Sequence, residues 1–278
     1  MLEIPESHTL AAQLNETVGG KTITRVIAAA APHGFAFYFG DPGNYPKLLE
    51  GEKIRNAAAY AGLTEISAGG KRILFGDGTN VRYLEPGAEP PKKHQLLVTF
   101  GDGSSIVCTI QMYGGIWAFP DGKNDSPYYK VAKEKPSPLS DAFDEGYFMT
   151  ICGEAKPTLS AKALLATEQR IPGLGNGVLQ DILFTAGINP KNKINTLTQK
   201  DLKGLYKSIR KTLKAMTDKG GRDTEKDLFG KNGGYKTILS NNTLKDPCPV
   251  CGGTIIRQAY LGGNVYYCPV CQPLKKQP

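Results

Sequence analysis

The apolar positions change their period near the middle of the chain. After Pro5, a good first-turn residue, Leu10, Leu14 and Val18 recur every four residues and Gly19-Gly20 ends the run, which predicts one helix. Short apolar runs cut by Gly, Pro and Asp follow. Ile73-Leu74-Phe75 and Val81-Arg82-Tyr83 flank Gly76-Asp77-Gly78, and Leu96 to Phe100 and Ser105 to Ile110 flank Gly101-Asp102-Gly103. Asp-Gly between apolar runs is a strong hairpin signal, so both stretches read as hairpins. Strands dominate to about Phe119. The polar, Pro-rich stretch from Asp121 to Pro138 reads as an interdomain linker. The second half reads helical. At ~100° per residue, Leu202, Leu205, Ile209, Leu213 and Met216 share one face, and Lys200, Lys203, Lys207, Lys211 and Lys214 form a solvated face opposite. Val178 to Ala186 is another helix candidate, preceded by Ile171-Pro172-Gly173-Leu174-Gly175-Asn176-Gly177. Such glycines permit close backbone approach, and N–H groups at a helix start suit a phosphate. A tight helix–turn–helix corner accounts for the same residues.

The 278 residues suggest two domains at roughly 150 residues each. An apolar content of 40% with 22% charged residues excludes a disordered chain. No run of about 20 apolar residues exists, so no transmembrane helix is expected. The acidic start Met1-Leu2-Glu3-Ile4-Pro5-Glu6 does not read as a signal peptide. The 34 Lys and Arg against 26 Asp and Glu leave a net +8. That charge fits a well-solvated surface or an anionic partner, nucleic acid or an acidic membrane face.

Four of the six cysteines form Cys248-Pro249-Val250-Cys251 and Cys268-Pro269-Val270-Cys271, with sixteen residues between the pairs. This is the spacing of a four-thiolate zinc site; a disulfide or redox pair is the alternative. Four thiolates leave the metal no open position, which favours a structural role. Ile255, Ile256, Val265 and Tyr266 flank the turn signal Gly262-Gly263-Asn264, so the intervening segment reads as a hairpin. Cys108 and Cys152 read as buried small hydrophobes in a reducing cytosol.

In this order, Leu2-Glu3-Ile4-Pro5-Glu6, Gly173-Leu174-Gly175-Asn176, Ala186-Gly187-Ile188-Asn189-Pro190 and the cysteine pairs ending Cys271-Gln272 resemble the formamidopyrimidine-DNA glycosylase / endonuclease VIII family over nearly the whole chain. The resemblance implies an α+β fold: an N-terminal two-layered β-sandwich with flanking helices (1–120), the linker (121–138), a helix–two-turns–helix domain (139–240) and a zinc-finger hairpin (241–278). It implies a monomeric, cytoplasmic, nucleoid-associated enzyme. Its partner is double-stranded DNA carrying damaged bases or abasic sites, held in a basic cleft, with zinc bound and no membrane association. Binding is expected to weaken steeply with salt. The family chemistry uses an N-terminal amine that attacks C1′ to form a Schiff base, displaces the base and ends in strand cleavage. By that resemblance Glu3 is the catalytic acid, Met1 or Leu2 carries the amine, and Glu6 is a second motif carboxylate or a plain helix-start acid. Lys71 stabilises charge during elimination, or is a surface lysine. His94 contacts DNA, or merely starts a strand. Lys162 joins the DNA-binding set, and Asn176 binds phosphate or caps its turn. Gln111-Met112-Tyr113 is the loop that wedges into the duplex, with Tyr113 stacking and Gln111 facing the orphaned base; ordinary sheet residues are the alternative. The stretch from Gly220 to Tyr235 stands where the family has its base-recognition lid, and its glycines suggest mobility.

Two departures touch the chemistry. Leu2 stands where the family carries Pro or another small residue. A bulky second residue should keep Met1 in place and shift the amine by up to ~3.5 Å, where about 1 Å can already cost ~10²-fold. Asn264 stands where the family usually carries an Arg, losing charge and a bidentate fork; Arg257 on the same hairpin is the available substitute. The family's void-filling methionine is also replaced, by this alignment near Glu85-Pro86. Three readings result: a glycosylase with lyase activity through the Met1 amine or Lys71, a hydrolysis-only glycosylase, and a damage-binding protein without turnover.

Overall fold

The computed structural model describes residues 2–276. They form two compact units. One runs to Lys133 and takes in Glu225–Gly233; the other holds Glu134–Thr224 and the chain from Gly234 onward. Among the described residues no helix is long and apolar enough to cross a membrane.

The first unit opens with helix α1 (Ile4–Val18), whose Leu10, Leu14 and Val18 are buried as their spacing predicts. Strands β1 (Ile23–Ala28) and β2 (Ala36–Tyr38), a short helix α2 (Tyr45–Leu49), and strands β3 (Ile54–Tyr60), β4 (Leu63–Ala68) and β5 (Lys71–Phe75) follow. Then come β6 (Thr79–Leu84), β7 (Leu96–Phe100), β8 (Ser105–Ile110) and β9 (Gly114–Pro120). They build a four-stranded sheet, β1-β7-β8-β6, and a five-stranded sheet, β2-β9-β5-β4-β3. Ile66, Ile73 and Ile116 from one sheet and Val26, Val98 and Ile106 from the other share a core, with α1 against it. This is the expected two-layered sandwich.

The two Gly-Asp-Gly stretches behave differently. Gly101-Asp102-Gly103 does join a hairpin, β7 to β8. Gly76-Asp77-Gly78 does not: β5 pairs with β4 and β9, whereas β6 pairs with β8, so the chain changes sheets there. The corner closes through Thr79, whose hydroxyl donates to the Gly76 carbonyl at 2.6 Å. Gly78 adopts φ +79°, and any Cβ there would collide with the Tyr113 carbonyl. The hairpin signal describes the turn but not the partner strand.

The 121–138 stretch contains a helix, α3 (Pro127–Glu134). Its Tyr129 is buried against Leu74 and Phe119, and its hydroxyl bonds to Glu65. One aromatic face thus makes part of a polar segment belong to the sandwich.

The stretch 225–233 also departs from the mobile lid expected from its glycines. Leu228 is fully buried in the sandwich core. Gln13 of α1 accepts from the Leu228 N–H (3.0 Å) and donates to Asp227 (2.9 Å), while the Tyr83 N–H donates to the Leu228 carbonyl (2.9 Å). Leu228→Ala is expected to cost about 2–5 kcal/mol, as for other core truncations. Urea unfolding measures it, and a loss below about 1 kcal/mol would show that the docking contributes little.

The second unit contains α4 (Glu145–Glu154), α5 (Ala161–Ala166), α6 (Leu179–Thr185) and α7 (Gln199–Asp218), then the hairpin β10 (Ile256–Tyr260) and β11 (Gly263–Tyr267). A capping box between Thr198 and Asp201 starts α7. Its five predicted apolar positions are buried and all five lysines are exposed.

Candidate functional site

In the first unit the chain start is fixed by burial. Glu3 is the N-cap of α1, in extended conformation, and Pro5 pre-sets the first turn. Glu3 is 2% exposed and Glu6 is buried beside it. The Ser7 hydroxyl donates to the Ala61 carbonyl, and the Thr64 hydroxyl donates to the Ser7 carbonyl, so the helix start is tied to the β3–β4 turn. Leu2 is half-buried against the sandwich core, which gives its bulk a packing role. Met1 lies outside the described residues.

Gln111, Met112 and Tyr113 lie between β8 and β9, and all three are exposed, Met112 by 74%. They form a loop rather than sheet positions. The Tyr113 hydroxyl donates to the Asp77 carboxylate at 3.0 Å. Burial, then Asp77 and more weakly Glu3, push the phenol of Tyr113 above its ordinary pKa. Tyr113 therefore lies within electrostatic reach of both Asp77 and Glu3. Lys71 does not join them. It opens β5 opposite Ala68, whereas α1 meets this sheet at Thr64, which pairs with Phe75 at the other end of β5. Four residues of strand, about 13 Å, separate those ends. The residue beside the loop is Asp77, not the Glu85-Pro86 segment that the alignment suggested for the void-filling position.

His94 is buried, and its Nδ1 donates to the Pro91 carbonyl at 2.7 Å in the tautomer that this contact requires. Its Nε2 has no partner among the described residues. In the neutral ring that nitrogen only accepts, so a bond to phosphate requires the protonated form.

In the second unit, Lys162, Asn176 and Asn264 gather on the β10–β11 hairpin. Lys162 is buried and donates to the Tyr260 carbonyl at 2.6 Å; burial lowers its pKa. The Asn176 amide donates to the Asn264 carbonyl at 3.0 Å. Gln180 braces the same place, donating to the carbonyls of Asn176 (2.8 Å) and Asn264 (3.1 Å) and accepting from the Tyr266 N–H (3.0 Å). Asn264 is not in the hairpin turn. The turn is Leu261-Gly262, both at positive φ, and Asn264 pairs with Ala259 inside the ladder. A Cβ at Gly263, not Asn264, would face the Asn176 side chain, at 3.3 Å. Arg257 pairs with Tyr266, two residues or about 7 Å along β10 from Ala259, and its guanidinium lies 3.5 Å from Asn241. It does not stand in at that position.

Sequence reasoning missed Asp77, Gln180 and Asp181. Asp181 accepts from the N–H groups of Ile238 (2.9 Å) and Leu239 (2.8 Å), and burial pushes its carboxyl up to about 6. An Asp and a Gln just inside an apolar helix start were the available signal.

Cys248, Cys251, Cys268 and Cys271 have all four Sγ atoms within 4.8 Å of one another. The pairs Cys248–Cys271 and Cys251–Cys268 stand at 3.7 and 3.4 Å. Four thiolates around one ion at about 2.3 Å require separations near 3.8 Å, so the donor set can hold a metal. Gln272 supports it, accepting from the Cys268 N–H and donating to the Ile188 carbonyl.

A sandwich unit with a buried acidic helix start, and a helical unit bracing a four-thiolate hairpin, define a protein of the helix–two-turns–helix class. A family profile described as the formamidopyrimidine-DNA glycosylase H2TH domain matches residues 135–227. The chain is 29% identical to the formamidopyrimidine-DNA glycosylase of Brevibacillus brevis, over 98% of this chain and 99% of that one. It is 27% identical to that of Bacillus subtilis, over 99% and 100%. Among solved structures, a Lactococcus lactis Fpg (MutM) in complex with N7-benzyl-Fapy-dG-containing DNA shares the fold at TM-score 0.84 and 24% identity, covering 98% of this chain and 99% of that one. The MutM (Fpg) protein of Thermus thermophilus aligns at TM-score 0.80 and 23% identity, over 99% and 100%. The chain belongs to the formamidopyrimidine-DNA glycosylase / endonuclease VIII family.

Proposed function

We propose that this chain is a base-excision-repair DNA glycosylase with abasic-site lyase activity, acting on damaged or abasic double-stranded DNA. The observation that carries the reading is the end-to-end match to relatives named formamidopyrimidine-DNA glycosylase. The net +8 supports a polyanionic partner. In this reading the N-terminal amine, whose ordinary pKa of about 7.7–8.0 leaves a neutral fraction at pH 7, attacks C1′ of the damaged nucleotide. The base departs with the glycosidic electron pair, and Glu3 exchanges protons with the sugar ring and leaving group. The exposed Gln111-Met112-Tyr113 loop enters the duplex, and Lys162, Asn176 and His94 take up backbone contacts. Glu6 supports the helix start. Lys71 has less support as a second nucleophile, because it opens β5 at the end away from α1. The four cysteines hold zinc in a closed, structural site.

Binding without turnover, motivated by Leu2 and Asn264, is the less favoured reading, since the relatives matched over 98% of this chain are named as enzymes. The test joins intact-mass measurement to borohydride trapping on abasic-site DNA. Expected are a retained Met1 and a covalent adduct that maps to its amine. Base release without adduct or nicking would favour hydrolysis alone, and neither product on any damaged duplex would refute the glycosylase.

A further inference from the structure

Helix α7 carries a stripe of cations that the proposed chemistry does not use. At ~100° per residue, Lys200, Lys203, Lys207, Lys211 and Lys214 fall within an arc of about 80°, and all five are exposed. Residues 202–217 hold no carboxylate. Lys203 meets Glu145 at 3.1 Å, and Lys214 meets Asp218 at 2.7 Å, where the stripe ends. Among the described residues Lys200, Lys207 and Lys211 have no ion-pair partner. Successive lysines stand three or four residues apart, so each is the next one's neighbour on the helix, and like charges at that spacing destabilise it. Lys200 also lies in the first turn, where the helix dipole disfavours a cation. A face that only solvates a helix mixes the two signs. Local stability therefore does not account for this one. The stripe is also separate from the Lys162, Asn176 and Asn264 cluster. Helix α7 packs on α4 and α6, its Ser208 hydroxyl donating to the Ile182 carbonyl at 2.7 Å, and its lysines lie on the side turned away from that packing. Gln180 of α6 serves the hairpin instead, through Tyr266.

At about 1.5 Å per residue the stripe is ~21 Å long, with a cation every ~4.5–6 Å. One strand of duplex DNA carries a charge about every 3.4 Å of helix axis, so the stripe spans roughly six phosphates. Arg210 borders the arc on one side, and Gly204 and Ala215 border it on the other. It therefore offers neither the aromatic anchor of a protein interface nor the apolar wedge of a membrane-surface helix. A rod of regularly spaced negative charge is what it matches. We propose that the lysine face of α7 is a second, lesion-independent docking surface for the backbone of double-stranded DNA, able to hold one duplex segment while the damage site holds another. This inference goes beyond the glycosylase reading and rests only on its DNA-binding part.

Two-colour fluorescence cross-correlation at low salt tests it on the full chain, with a tetrahydrofuran abasic duplex in one colour and an undamaged duplex in the other. Wild-type protein saturated with the abasic duplex should also take up the undamaged one, giving a complex that carries both colours. The triple variant Lys200→Gln, Lys207→Gln, Lys211→Gln should bind the second duplex at least about 10-fold more weakly. Its slope of log affinity against log salt should fall by about 2–3, at roughly 0.9 per lost phosphate contact. Gln forms helix about as well as Lys, so the variant should fold, and its thermal midpoint should hold or rise as the repulsion is removed. Its affinity for the abasic duplex should stay within about 2-fold of wild type. No two-colour complex in the wild type, survival of that complex in the triple variant, or an equal loss of abasic-duplex affinity overturns the second surface and leaves the glycosylase reading intact. Capture of phosphatidylserine vesicles by the wild type in place of the second duplex does the same. A wild type that does not prefer the abasic duplex over the undamaged one refutes the glycosylase reading instead, and the two-colour signal still decides the stripe.

Discussion

Removing the metal from the four-thiolate site, or replacing Cys251 by Ser, should unfold the β10–β11 hairpin and lower DNA affinity by at least about 100-fold. Structural zinc in small fingers contributes apparent binding free energies of about 10–16 kcal/mol, and here the cysteines share one small buried cluster with Phe184, Leu239, Ile255 and Tyr266. The loss would spread through named contacts. Lys162 would lose the Tyr260 carbonyl, and Asn176 and Gln180 would lose that of Asn264. A buried polar group left unpaired costs roughly 1–3 kcal/mol, and more when charged. The measurement is metal content by mass spectrometry, then anisotropy with abasic DNA before chelation, after it, and after zinc is restored. One zinc per chain and recovery on its return are expected. Unchanged binding after complete chelation would refute a structural metal.

Glu3→Gln should lower single-turnover base release by about 10²–10⁴-fold, the usual contribution of a positioned acid–base group. The change preserves shape at a position that is 2% exposed, so packing is conserved while the proton donor is lost. DNA affinity and the thermal midpoint should stay close to wild type. Glu6→Gln serves as the comparison. An acid in the first turn contributes roughly 0.3–1 kcal/mol to its helix, so that variant should shift stability more than rate. Equal rates in Glu3→Gln and the unaltered protein would take Glu3 out of the chemistry.

Much of the site was legible along the chain because its signals are local. The metal ligands follow from two short Cys-Pro-Val-Cys knuckles, where chain connectivity alone brings each pair of sulfurs together. Helix α7 follows from a 3.6-residue period that needs no knowledge of what it packs against. The start of α1 follows from Pro5 and the residues around it. These are properties of a few neighbouring residues, and backbone sterics and burial of one face dictate them.

Long-range pairing decided the rest. Two Gly-Asp-Gly stretches read identically; one closes β7 on β8 and the other carries the chain between sheets, because each strand joins the partner that buries its apolar side. Leu228 lies in a glycine-rich segment with loop composition, yet the sandwich core takes it in. The direction in which a residue points on the β10–β11 hairpin depends on a ladder register with a period of two, so a one-residue difference in alignment moves the position facing Asn176 from 264 to 263. Lys71 had a suitable motif and the wrong end of a strand. By itself the sequence determined the cysteine cluster, the amphipathic helices and the acidic start. Only the tertiary structure brought Asp77 to Tyr113, since residues 36 positions apart in the chain meet only when two sheets have packed.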